Sequence, residues 1–198
     1  MSTPRQPPGK AAIDACRRCG LWERATQGVP GEGGSRARLM LIGEQPGDEE
    51  DKQGKPFVGP AGRLLRLLLA EAGVGPNVFY LTNAVKHFTW EPRGKRRIHK
   101  TPAQRDVAAC AAWLEAEIAA VRPQVIVALG ATALAALTHK RMGIAATRGL
   151  DIRLGDAHLV ATYHPSALLR APDEERRAEL RDAVSEDLAR AVTLLGGK

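Results

Sequence analysis

The sequence predicts an α/β fold built on a parallel or mixed sheet. Short apolar runs alternate with stretches of helical periodicity, and no internal repeat or long linker divides the 198 residues. The unusual polar motifs also follow predicted strands, at the carboxyl ends where open α/β sheets bind ligands. A chain of this length is expected to form one domain with a proper core, residues 11–198, behind a loose Pro-rich tail over residues 1–10.

The elements follow in chain order. Leu39–Ile42 reads as a buried strand, and Val78–Leu81, Val125–Leu129 and His158–Thr162 as three more. Between the first two, Pro60 starts a helix to about Ala72, with Leu64, Leu65, Leu68 and Leu69 as its apolar stripe and Gly73 as its stop. Thr101-Pro102-Ala103-Gln104 has the form of a capping box, opening a helix that carries Cys110 and Trp113 and ends before Pro123. A short Ala-rich helix follows Gly130, and a charged one fills roughly 173–195. Asp151–Leu154 with the Gly155-Asp156 pair suggests a hairpin into the last strand. Residues 89–100 show neither period and are expected to be irregular.

Charge and cysteine content narrow the function. Lys and Arg outnumber Asp and Glu by 29 to 22, a net charge of +7, which favours a polyanionic partner, nucleic acid first. No apolar run approaches the roughly 18 residues of a membrane span, and the N-terminus lacks the apolar core of a signal peptide, so a cytoplasmic protein is expected. Cys16-Arg-Arg-Cys19 in a reducing compartment points to metal or redox chemistry. Cys110 supplies a third thiolate, and His87 is the best fourth candidate. On general ligand chemistry that set suits zinc, since iron–sulfur clusters more usually take four cysteines.

Three motifs converge on the strand ends. In GEQPGDEE, Gly43 and Gly47 permit a tight turn with exposed amides, and Glu44, Gln45 and Asp48 are close enough to project into one pocket. A carboxylate there can orient water or stabilise a developing cation, the chemistry of glycosidic cleavage; the plain alternative is an acidic turn. Phe57, held between Pro56 and Val58, can present a ring face for base stacking. Asn83 offers an amide donor and acceptor side by side, complementary to O4 and N3 of uracil and opposite to cytosine. In HPSALLR, His164 can donate to a leaving-group oxygen, Ser166 opens a helix whose N-terminus suits a phosphate, and Arg170 follows one turn later.

The stretch GKRRIHK, Gly94 to Lys100, surrounds one histidine with cations. Lys95, Arg96 and Arg97 can pair with phosphates, while cations beside His99 disfavour its protonation.

Together GEQPGDEEDKQGKPFVGPAGRLL, LTNAVKHF, GKRRIHKTP and YHPSALLR resemble a uracil-DNA glycosylase of the UdgX type, close to the family-4 enzymes. The resemblance spans nearly the whole chain from Cys16, and the KRRIH insertion is its specific mark. It implies a three-layer α/β/α sandwich with a mainly parallel sheet and excision of uracil from DNA, single-stranded DNA included, by a monomer. It also implies a [4Fe-4S] cluster on Cys16, Cys19, His87 and Cys110, in place of zinc. By the same resemblance, His99 bonds to C1′ of the sugar after the base leaves, so that the protein stays on the DNA. Arg97 can orient that loop, and Glu44 or Gln45 can position His99 or a competing water. The alternatives are a multiple-turnover glycosylase that uses water, with GKRRIHK only a phosphate clamp, and a non-catalytic metal-stabilised DNA-binding module.

Overall fold

The computed structural model describes residues 6–34 and 36–196. The first five residues of the expected tail therefore lie outside the described residues, and its end, Lys10, already opens a short helix, α1 (Lys10–Asp14).

The expected α/β architecture is present, with a mainly parallel sheet between two helical layers. Its strands are β1 (Glu32–Gly33), β2 (Leu39–Gly43), β3 (Phe79–Asn83), β6 (Val125–Leu129), β7 (Ile152–Leu154) and β8 (Ala157–Thr162), in the order β1-β3-β2-β6-β8-β7. The inner four pair parallel, while β1 and β7 close the edges antiparallel. Such inner strands are covered on both faces, which is why they read as unbroken apolar runs.

Successive residues of β2 serve opposite layers. Leu39 and Leu41 pack with Leu65, Leu68 and Leu69 of α3 (Pro60–Glu71) and Val184 and Leu188 of α8 (Glu174–Gly196). Met40 and Ile42 pack with Leu114 of α4 (Gln104–Val121) and Leu134 and Leu137 of α5 (Ala131–Thr138). Among the described residues no helix is long and apolar enough to cross a membrane.

Three local expectations need correction. The acidic stretch after Gly47 is a helix, α2 (Asp48–Gln53), because the Glu50 carboxylate accepts the N–H of Gly47 and so caps it, while its four leading acids suit the positive helix start. The helix expected from Thr101 starts two residues later, where Asp106 rather than Gln104 supplies the capping carboxylate, to the N–H of Ala103. The segment expected to be irregular is a β-hairpin, β4 (Trp90–Arg93) and β5 (Arg96–His99), with Trp90 opposite His99. Gly94 turns it with a positive φ of 60°. The two-stranded hairpin stands apart from the main sheet and presents both faces, so its side chains show no inside–outside alternation. The remaining short helices are α6 (Ile144–Thr147) and α7 (Pro165–Leu169).

Candidate active site at the carboxyl edge of the sheet

The strand ends line up. Gly43 is in register with Asn83, and Leu129 with Thr162, so the chain segments leaving β2, β3, β6 and β8 meet along one edge. The turn after β3 is fastened to the loop after β2: Ala84 N–H donates to the Gly43 carbonyl at 2.9 Å and Val85 N–H to that of Glu44 at 3.0 Å.

Around Gly43 three side chains close on one small space. A β-carbon at Gly43 would overlap Asn83 Oδ1, approach Phe57 Cζ to 2.7 Å and stand 3.5 Å from His164 Nε2. Asn83 is 3% exposed, yet its side-chain amide has no hydrogen-bond partner among the described residues. The amide atoms are not among the fully sealed polar groups, so they stay open to an incoming partner. The Phe57 and His164 rings are nearly parallel, 25° apart with centroids 6.3 Å apart. Phe57 holds a left-handed backbone, φ 56°, which costs a non-glycine residue about 1–3 kcal/mol and turns the ring inward. Glu50, missed in the sequence, holds both arms of this loop by accepting the N–H groups of Gly47 and Gly59 at 3.0 and 2.8 Å. Its signal was available, as a carboxylate three residues after Gly47.

The His164 tautomer follows from its partners. Ser166 N–H donates to Nδ1 at 3.1 Å and the Ser166 hydroxyl lies 2.8 Å from the same atom, which leaves the proton on Nε2, facing the site. Burial pushes this imidazole down to about 4, so it is neutral at physiological pH. The Ser166 amide expected on a phosphate is thus committed to His164, while Arg170 is exposed just beyond α7.

That depressed value has a stability consequence. Between the folded value of about 4 and the ordinary 6.5, only the unfolded chain takes up the proton, so stability is lost as pH falls through that window. Melting temperature measured at pH 7.5, 6.0 and 5.0 is expected to fall with acid, and His164→Gln to flatten part of that slope.

His99, at the end of β5, points back to the sheet edge. Its Nε2 lies 3.2 Å from Glu44 Oε1, while Glu44 Oε2 accepts the Thr132 hydroxyl. Burial pushes the Glu44 carboxyl up, but the bonds from His99 and Thr132 outweigh it and hold it below its ordinary value, ionised. Thr132 was not legible in sequence, because α5 brings it to Glu44 only in three dimensions.

The other residues of the two motifs act on the hairpin. Gln45 is buried and donates to the carbonyls of Thr89 and Lys100 at 3.1 and 3.0 Å, while accepting the Thr89 N–H at 3.0 Å. It ties both feet of the hairpin, with both ends of its amide committed there. Asp48, expected in one pocket with Glu44 and Gln45, instead accepts Arg97 Nε at 2.6 Å. Arg97, expected on phosphate, also donates to buried Asp51 at 2.6 Å, and its guanidinium lies over the rings of Phe88 and Trp90 at 5.4 and 5.5 Å. Lys95 and Arg96 remain exposed at the turn.

The cysteines gather on the far side of the hairpin's base. Cys16 and Cys110 are buried, Cys19 is half-buried, and all three are free thiols. Trp113 Nε1–H donates to Cys16 Sγ at 3.2 Å, and Cys19 and Cys110 are near neighbours. His87 is buried, its imidazole pushed down by burial and so neutral, as a metal ligand must be. Among the described residues no three His, Cys, Asp or Glu side chains are placed to hold a single metal ion. A cluster gives each ligand its own iron, so its sulfurs need not meet at a point, and N–H donors to sulfur suit it.

Known proteins resemble this chain over most of its length. Residues 30–189 match the model of the uracil DNA glycosylase superfamily. A type-4 uracil-DNA glycosylase of Thermotoga maritima is 42% identical over 185 residues, 92% of this chain and 91% of that protein. One from Archaeoglobus fulgidus is 32% identical over 194 residues, 94% of this chain and 91% of its own. A type-5 uracil-DNA glycosylase of Pyrobaculum aerophilum is 29% identical over 183 residues, 83% of this chain and 77% of its own. With a match over most of its length and relatives of this closeness, the chain belongs to the uracil-DNA glycosylase superfamily.

Proposed function

We propose that the chain excises uracil from DNA and then remains covalently attached, through His99, to C1′ of the abasic sugar, as UdgX-type proteins do. The observation that carries the excision half is the unpartnered amide of Asn83, set between Phe57 and the Nε2–H of His164 in a space that only a glycine at position 43 leaves open. A flipped uracil fits it: N3–H and O4 face the asparagine acceptor and donor, the ring lies against Phe57, and His164 donates to the oxygen on which the leaving anion concentrates charge.

Breaking the C1′–N1 bond leaves an oxocarbenium-like sugar. The bonding pair departs with uracil. The lone pair of the His99 imidazole then forms the new bond to C1′, and the resulting imidazolium lies against the ionised Glu44 carboxylate, which stabilises it and can accept the proton of its remaining N–H. Lys95 and Arg96 at the exposed hairpin turn meet phosphates, as does Arg170. In this reading Arg97, Asp48 and Gln45 hold the hairpin so that His99 stays over the site. Cys16, Cys19, His87 and Cys110 hold a [4Fe-4S] cluster, which serves as a structural tie between the N-terminal segment and the hairpin's base. The protein acts inside the cell as a monomer on uracil-containing DNA, single strands included.

The test mixes the protein with an excess of labelled oligonucleotide bearing one uracil, then counts free uracil and runs a denaturing gel. One uracil released per protein, with a detergent-stable shifted band, is expected. Continued release with no shifted band would make this a multiple-turnover glycosylase, and no release at all would overturn the excision reading.

A further inference from the structure

Lys86 is an odd residue to bury. Its side chain is wholly inaccessible, and all three ammonium protons are used: on Glu117 Oε2, Thr82 Oγ1 and the backbone carbonyl of Asn83, each at 2.7 Å. Glu117 is equally buried and equally saturated, because Thr82 donates to Oε2 at 2.7 Å and Gly31 N–H to Oε1 at 3.0 Å. Such a pair seldom stabilises a fold more than apolar side chains of the same size would, so its retention asks for another reason.

The reason lies in what the ammonium holds. Asn83 is the last residue of β3, and the next two amides, of Ala84 and Val85, are the donors that fasten this turn to Gly43 and Glu44. Lys86 folds back across that turn from beneath and fixes the Asn83 carbonyl. Asn83 sits opposite Gly43 in the register, so its free amide has no tether of its own except its backbone.

We infer that Lys86, braced by Glu117, is a positioning residue for base recognition: it holds the Asn83 backbone so that the unpartnered amide meets the base edge, and through Ala84 and Val85 it keeps Glu44 in register with it. This rests on the reading of Asn83 as the group that contacts the base. A displacement of about 1 Å at such a contact can cost about 10²-fold in rate.

The experiment is a double-mutant cycle on single-turnover uracil excision. Lys86→Met is expected to lower kcat/KM about 100-fold in the wild-type background but under about threefold when Asn83 is already alanine, because the lysine acts through the asparagine. Equal losses in both backgrounds would overturn the inference, since a general structural defect is additive. Leu188→Ala, a core truncation in α8 remote from the site, controls for lost stability, and iron content is measured for every variant because Lys86 adjoins His87. Should Lys86→Met not fold, Glu117→Gln weakens the same brace while preserving size, its one remaining oxygen able to keep the Gly31 N–H, and carries the cycle instead. Hydrogen exchange at the Ala84 and Val85 amides separates this inference from the functional proposal. If the wild-type protein releases no uracil, the proposed function fails, yet faster exchange at those two amides in the variant still supports the brace and unchanged exchange sinks it.

Discussion

His99→Ala is expected to abolish the denaturation-resistant protein–DNA species entirely, at least about 100-fold below wild type on the gel, while uracil release continues. The two outcomes separate because different groups carry them. In the proposed function base recognition belongs to Asn83, Phe57 and His164, which gather around Gly43, whereas capture depends on an imidazole carried by β5. That delivery is built in at several points. Gln45 ties both feet of the hairpin, Arg97 is clamped by Asp48 and Asp51, and Glu44 meets the ring at 3.2 Å. Holding a nucleophile at the reacting carbon is worth several orders of magnitude over free collision, which is how an imidazole can beat water. Once the ring is gone, water can enter beside the ionised Glu44, and the protein should turn over more than once. A shifted band that persisted in His99→Ala would show that another side chain makes the bond.

Gly43→Ala is the second large effect, expected to cut uracil excision about 1000-fold while leaving the fold and the basic hairpin turn intact. Gly43 does not have the positive φ that would favour glycine, so alanine is no backbone strain there. The added carbon is instead refused by space. It would overlap Asn83 Oδ1 and crowd Phe57 Cζ, so either the Asn83 amide swings off its place or the methyl fills it. Either way the base edge loses its place. DNA binding measured with an abasic-free duplex should change little, because the exposed cations of the hairpin turn and Arg170 stand away from Gly43 in the proposed reading. Excision near the wild-type rate would mean that the base enters elsewhere.

Much of the architecture is legible in the sequence. The four inner strands are nearly continuous apolar runs because both faces of the sheet are covered, and Val125–Leu129 was placed to the residue. Helix α3 announced itself through Pro60 and its leucine stripe. The hairpin was not legible, since a two-stranded element exposed on both faces leaves no alternation to read. Helix α2 was hidden by its composition, as four consecutive acids resemble a solvated turn until Glu50 is seen capping it.

The site divides along the same line. Sequence alone singled out candidate residues that follow strand ends, and an α/β sheet forces such positions onto one edge. It could not assign partners among like residues. Only the packed structure decided that Glu44, not Gln45 or Asp48, meets His99; that Arg97 is spent on two carboxylates; and that Lys86 and Glu117 brace the turn from below. The physical reason is that polar side chains choose partners within a few ångströms of space, and the folds of the chain that bring Glu117 under Lys86, or Thr132 to Glu44, place residues 31 and 88 positions apart in contact.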